Sequence, residues 1–280
     1  MMKRLAYATL IGTAAMTLAA PAMAQDTTEN RFGGFYVGAS GGYDVQPNDD
    51  GSTILFDRNL DGTFGDTVTT AAGANAFSPG FCNGRATSSA PTACRNDKDG
   101  WSYNGKIGFD IQSGKIVFGA VGEFGKSEIN DSVSAFSTTP ASYTMRRSIE
   151  WEGAARLRAG YVAGDSTLFY GTGGLGYARI DNEFFTSNTA NAFAGRGKRN
   201  QLGFQAGGGI EQLLGNNFSV GVEYMYHEYK DDDYRVRASA GTAPATNPFI
   251  LAPNTTGTDF RRSDDKFRWH SLRATAAFRF

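Results

Sequence analysis

Alternation with a period of two is the feature that most restricts this chain. In "WSYNGKIGFDIQSGK", Trp101, Tyr103, Ile107, Phe109 and Ile111 share one parity, while Ser102, Asn104, Lys106, Asp110 and Gln112 share the other. Successive side chains of a strand point to opposite faces, so this is a strand with one greasy and one polar side. "SIEWEGAARLRAGYV" sets Ile149, Trp151, Ala155, Leu157, Ala159 and Tyr161 against Glu150, Glu152, Arg156 and Arg158. "NQLGFQAGGGIEQLLG" sets Leu202, Phe204, Ala206 and Ile210 against Gln201, Gln205 and Glu211, and "FSVGVEYMYHEY" sets Phe218, Val220, Val222, Tyr224 and Tyr226 against Ser219, Glu223 and His227. "FYVGASGGYDV" from Phe35, "KIVFGAVGEFG" from Lys115 and the glycine-rich "LFYGTGGLGYARI" from Leu168, whose faces the pattern does not assign, are further strands. The last is "RWHSLRATAAFRF", with Leu272, Ala274, Ala276, Phe278 and Phe280 alternating against Ser271, Arg273, Thr275 and Arg279.

Connections between these strands alternate in length. Tight turns lie at Ser113-Gly114, Gly164-Asp165 and Gly215-Asn216-Asn217, and long polar segments at roughly 46 to 100, 127 to 147, 182 to 200 and 231 to 266. A soluble sandwich has no reason to alternate in this way, whereas short turns on one side and long loops on the other belong to a transmembrane β-barrel. Backbone groups in lipid must all be paired and no edge left open, which an even set of eight strands achieves by closing. Trp101 and Trp151 fall at the loop ends of their strands, Tyr161 and Phe280 at the turn ends, as two interfacial girdles require. The inverse, a soluble barrel with its apolar faces inside, fits the alternation but neither the loop asymmetry nor the export signal. The expected fold is therefore all-β: an eight-stranded antiparallel transmembrane barrel with long extracellular loops and short periplasmic turns.

The N-terminus supports export. Lys3 and Arg4 precede an apolar run from Leu5 to about Ala20 and the small-residue pattern Ala22-Met23-Ala24, a signal peptide cleaved after Ala24. Residues 25–34 are expected as a short periplasmic segment and 35–280 as the barrel. Composition agrees: Gly 36, Phe 21 and Tyr 12 against Pro 8 suit short strands joined by turns. A net charge of -1 gives no electrostatic case for a nucleic-acid partner. Cys82 and Cys94 are the only two cysteines, and in an oxidising compartment their default is a disulfide.

At this point the sequence resembles the small opacity-type or porin-like outer-membrane β-barrel family of Gram-negative bacteria, through "GGFYVGASGGYD", "ARLRAGYVAGDSTLFYGTGGLGYAR" and the closing "LRATAAFRF". The resemblance covers the strands well and the loops hardly at all. It implies an outer-membrane location among outer-membrane lipids, and a C-terminal signal at Phe278 and Phe280 read by the barrel insertion machinery after periplasmic chaperones. Some members add a peptidoglycan-binding domain after the barrel, an activity nothing in this chain suggests.

The inward parity carries both signs of charge: Lys106, Asp110, Glu123, Glu150, Glu152, Arg156, Arg158, Glu211, Glu223 and Arg273. An eight-stranded lumen is just wide enough to be filled by side chains, so these groups are expected to pair and plug it; a narrow water path is the alternative. Catalysis is not expected: of the two histidines, His227 points inward and His270 outward, and neither has a serine in nucleophile geometry by strand parity. "FDRNLDGTFGD" places Asp57, Asn59 and Asp61 before Gly62 like the front half of an EF-hand loop, with Asp66 two residues early and Val68 where the closing Glu belongs. That stretch is either a weak calcium loop or a solvated Asp-Gly turn. No other cofactor is expected, and a monomer is the default for a closed barrel of this size.

Overall fold

The computed structural model describes residues 31–47, 51–91, 94–97 and 99–280. The signal peptide and residues 25–30 lie outside them. In chain order the strands are β1 (Gly34–Val45), then β2 (Ile54–Asp57), β3 (Gly80–Asn83), β4 (Arg85–Ala86) and β5 (Cys94–Arg95) in the first outer segment. Next come β6 (Gly100–Ser113), β7 (Ile116–Ser127), β8 (Asn130–Ser137), β9 (Ala141–Ala163), β10 (Thr167–Thr186), β11 (Ala192–Gly195) and β12 (Lys198–Leu214). β13 (Phe218–Lys230), β14 (Val236–Ser239), β15 (Thr258–Arg262) and β16 (Lys266–Arg279) complete the chain.

Eight of these close on themselves in the order β1-β6-β7-β9-β10-β12-β13-β16, every pair antiparallel, with β16 returning to β1 from Tyr36↔Arg279 to Val45↔His270. No edge remains in the ring, which meets the demand of lipid on backbone pairing. Its outer wall is apolar: Ile107, Phe109, Leu157, Leu175, Leu202 and Leu272 all point out and are largely exposed. Trp101 stacks edge-on to Tyr43 near one rim, where Phe124, Trp151 and Tyr177 form a chain of ring contacts of 5.8 Å. Phe35 meets Phe280 at the other rim. The strand from Leu168, whose faces the pattern left open, turns Leu168, Tyr170, Ala178 and Ile180 inward and Phe169, Leu175 and Tyr177 outward.

Strand length explains what lies above the membrane. β9 runs 23 residues and β10 runs 20, whereas a tilted strand crosses the hydrocarbon in about 9–11. Both therefore project well beyond the outer rim, and the long segments fold against them. β8 pairs along the projecting part of β9 and β3 pairs with β8, while β11, β14, β15 and β2 form a separate four-stranded sheet. Between these layers Phe56, Phe77, Tyr143, Phe249 and Phe260 are buried, with Phe184 and Phe193 packed against them. The outer segments read from sequence as polar loops thus form a cap with its own aromatic core. The 127–147 segment is a hairpin, because Val133, Ala135, Tyr143 and Met145 place apolar side chains on its cap-facing side. Cys82 and Cys94 are joined within this cap, as their compartment suggested.

Candidate functional site

Inside the ring the buried side chains fall into layers. At the turn end Phe32, Val117, Val162, Leu168, Tyr170 and Leu213 pack together. Phe32 belongs to the segment expected as periplasmic, yet it is fully buried in the barrel floor, and Arg31 donates to the carbonyls of Asp165 and Gly215 in two of the turns. The residues just before β1 thus lie across the turn end of the barrel, with Phe32 packed into the floor cluster and Arg31 tied to the turns.

Above this floor lies the charge network. Arg158 pairs with Asp110 at 2.9 Å and Glu211 at 3.1 Å, and Arg279 bridges the same two carboxylates at 2.9 and 2.6 Å. Both guanidiniums lie over the Tyr36 ring, at 5.2 and 4.7 Å. One step higher, Arg156 meets Glu123 at 3.0 Å and Arg273 meets Glu123 at 2.7 Å, while Glu223 lies 3.8 and 3.6 Å from these two arginines and accepts from the Tyr170 hydroxyl. Lys106 is buried beside these groups but has no carboxylate within 4.0 Å among the described residues. Counting Glu152 and Asp44, which accepts from the Ser102 and Ser127 hydroxyls, six carboxylates and five cations share the lumen, so charges of both signs nearly balance there. Of the sequence-derived set, Lys106, Asp110, Glu123, Glu152, Arg156, Arg158, Glu211, Glu223 and Arg273 all face inward. Arg279 and Asp44 join the set; Arg279 stands on the same parity of the last strand as Arg273, which was the available signal.

Glu150 does not belong with them. β9 carries a bulge: Trp151 faces Arg179 and Ile149 faces Ile180, leaving Glu150 as the extra residue. The parity flips there, so Ile149 turns inward while Glu150 stays outside, paired with Arg179 and Lys198 at 3.1 Å each. A strict period of two cannot register an inserted residue.

The next layer holds His227. Its ring stacks on Trp269 at 4.6 Å, its Nε2 lies 3.2 Å from Ser271 Oγ, and its Nδ1 lies 3.3 Å from Glu152 Oε2 without hydrogen-bond alignment. Sequence parity gave neither histidine a serine partner. The fold supplies one, because Met225↔Ser271 and His227↔Trp269 put Ser271 diagonally across on the same inward face. All three residues are sealed: Ile129, Ile149, Ala178, Ile180, Tyr229, Phe267 and Trp269 close over them. His270 points outward, where its Nδ1 is 2.6 Å from the Tyr224 hydroxyl.

A second ion cluster lies at the loop end. Arg147, fully buried, reaches Asp131 at 2.6 Å, Asp264 at 2.8 Å and Asp231 at 3.4 Å, and Arg262 binds Asp131 at 2.7 Å. Burial works to raise the Asp131 carboxyl, but the Arg147 and Arg262 guanidiniums overcome it and hold it at about 2. This gasket joins two outer segments, 127–147 and 231–266, and no pattern in the sequence pointed to it.

The calcium-like stretch is a compact turn. Asp57 accepts from the amides of Asp61 and Gly62, Asp66 from Arg58 and Asn59, and Asp61 from Thr63, which holds the Asp61 carboxyl below its ordinary range. Leu60, Gly62 and Gly65 take positive φ to make the bend. Asp97 and Asp99 bind amides of Ser132 and Gln46 instead of completing the loop. Among the described residues no group of three or more His, Cys, Asp or Glu side chains is placed to hold a metal.

With this geometry in view, a family model described as the outer membrane protein beta-barrel domain matches residues 11–243. The chain belongs to that family. As an outer membrane protein beta-barrel it resides in the outer membrane, and its apolar wall faces lipid. It is 32% identical over 111 residues to the 31 kDa outer-membrane immunogenic protein of Brucella melitensis biotype 1, covering 40% of this chain and 46% of that one. It is 28% identical over 141 residues to the 22 kDa outer membrane protein of Rhizobium leguminosarum bv. viciae, covering 50% and 58%. These matches span about half the length of the curated relatives. Among solved structures, the outer membrane protein OprG from Pseudomonas aeruginosa is similar with a TM-score of 0.48 and 12% identity, over 89% of this chain and 96% of that one.

Proposed function

We propose that this outer-membrane barrel is a structural, surface-exposed protein whose lumen is plugged, and that its function resides in the folded outer cap. The observation that carries the reading is the pairing of the lumen's charges: six buried carboxylates and five buried cations, bounded by apolar layers at both ends. A water path would leave such groups solvated; here four arginines bind carboxylates directly across the bore. Removing one partner of a buried pair costs about 3–5 kcal/mol, which gives the plug rigidity. The rival reading, a narrow porin, has no continuous polar path to favour it, since Trp269 and Phe267 lie above the charges and Phe32 below.

Catalysis is left out of the proposal. Ser271, His227 and Glu152 share a face, but acyl transfer needs an aligned base and an accessible nucleophile, and these three are enclosed. Calcium is left out as well, because the oxygens of Asp57, Asp61 and Asp66 are taken by amides of their own turn. By resemblance, Phe278 and Phe280, outward at the end of β16, would be read by the insertion machinery, and the closed ring would be a monomer in outer-membrane lipid. Liposome swelling tests the proposal: vesicles carrying the refolded protein should swell no faster in small sugars than empty vesicles, and rapid swelling would favour the porin.

A further inference from the structure

The turn from Phe56 to Asp66 leads to a feature that neither the barrel nor the plug requires. β14 and β15 pair with Val236 opposite Phe260 and Arg237 opposite Asp259. The second of these is an ion pair, as facing residues of opposite charge should be. Arg235 immediately precedes the paired stretch, on the end of β14 toward Arg261, and Arg261 has Leu55 of β2 on its other side. The turn brings Phe64 onto both arginines: the Arg261 guanidinium carbon lies 4.7 Å from the ring centroid and that of Arg235 lies 5.0 Å from it.

Neither guanidinium has a carboxylate within 4.0 Å or a hydrogen-bond acceptor among the described residues, and Arg261 Nε is buried without a partner. The acids of the turn and of β15 are otherwise engaged, Asp57, Asp61 and Asp66 by the turn's own amides and Asp259 by Arg237, while Asp232 and Asp233, just before Arg235 in the chain, are exposed and lie more than 4.0 Å from both guanidiniums. Arg235 is exposed, and Phe64 and Arg261 are half-buried, so the pair opens to the outside. A guanidinium stacked on a ring keeps its planar fork of donors free, and such forks match the oxygens of sulfate and phosphate. We propose that Arg235 and Arg261, both stacked on the Phe64 ring, form a clamp for a sulfate or phosphate ester on the cell-surface side of the cap. The bound ester would supply the counter-charge that the two arginines lack. The clamp depends on neither the plugged lumen nor the absence of catalysis.

Calorimetric titration of the refolded barrel in detergent with glucose 6-sulfate, glucose 6-phosphate and glucuronate tests it. At least one of the two esters should bind, and the one preferred identifies the source; glucuronate should bind more weakly. Arg235→Ala and Arg261→Ala should each weaken that binding about tenfold, while Arg95→Ala, which removes a cation elsewhere on the cap, should not. Both clamp variants should stay folded, judged by their mobility on unheated gels, because neither arginine pairs with a carboxylate and Arg235 is exposed. Absence of binding by both esters, or an equal loss in Arg95→Ala and Arg235→Ala, would overturn the clamp in favour of no site or diffuse surface charge.

Discussion

Single residues separate what parity predicts from what the barrel does with it. Glu150 and Glu152 look equivalent in "SIEWEGA", but one inserted residue puts the first outside and the second in the lumen beside Tyr229, Gln205 and His227. Glu150→Gln should therefore change stability by no more than about 0.5 kcal/mol, as exposed substitutions do. Glu152→Gln should cost on the order of 1–3 kcal/mol by disturbing a buried network. Urea titration of both variants in detergent checks the order, and equal losses would contradict the bulge. Arg147 makes a sharper case, since it binds three carboxylates with no exposure. Arg147→Ala should cost about 3–5 kcal/mol at the gasket. The expected readout is protease cleavage within 127–147 and 231–266, with the barrel itself still resistant.

At the scale of elements, barrel and cap answer to different forces and should come apart under different conditions. The transmembrane strands were legible in the sequence because lipid outside and charge inside enforce strict alternation over about ten residues. The cap was not, because its strands are short, its four-stranded sheet is assembled from three distant segments, and its apolar residues are single phenylalanines such as Phe56, Phe77, Phe249 and Phe260 among polar neighbours. Periodicity reports nothing about contacts between segments some two hundred residues apart. The gasket beneath this cap has a defined acid limit. The Asp131 pKa is depressed in the fold, to about 2, so its contribution is fully present above its unfolded value of about 4 and is lost as pH falls through the folded value. That contribution is on the order of 2 kcal/mol. Near-ultraviolet circular dichroism should accordingly show the aromatic cap loosening between about pH 4 and pH 2 and holding above that window. Asp131→Asn should abolish this dependence, and loss of the cap signal near neutrality would contradict the assignment.

For the whole molecule, the layers stack from floor to dome: an apolar floor around Phe32, two tiers of ion pairs, an enclosed histidine, an apolar ceiling, the arginine gasket and an aromatic cap. The candidate lumen residues were readable one by one, but their pairing was not, because partners such as Arg273 and Glu123 lie 150 positions apart. What sequence could say was that charges of both signs would face one another across a narrow bore, with pairing expected and a narrow water path as the alternative. The most direct measurement is single-channel conductance of the refolded protein in a planar bilayer, beside the variant with Arg156 and Arg158 both changed to Ala. A silent parent, with openings confined to the variant or to a variant that also lacks Phe32 and Trp269, is the expected result. Regular conductance steps from the unmodified protein would contradict a plugged lumen.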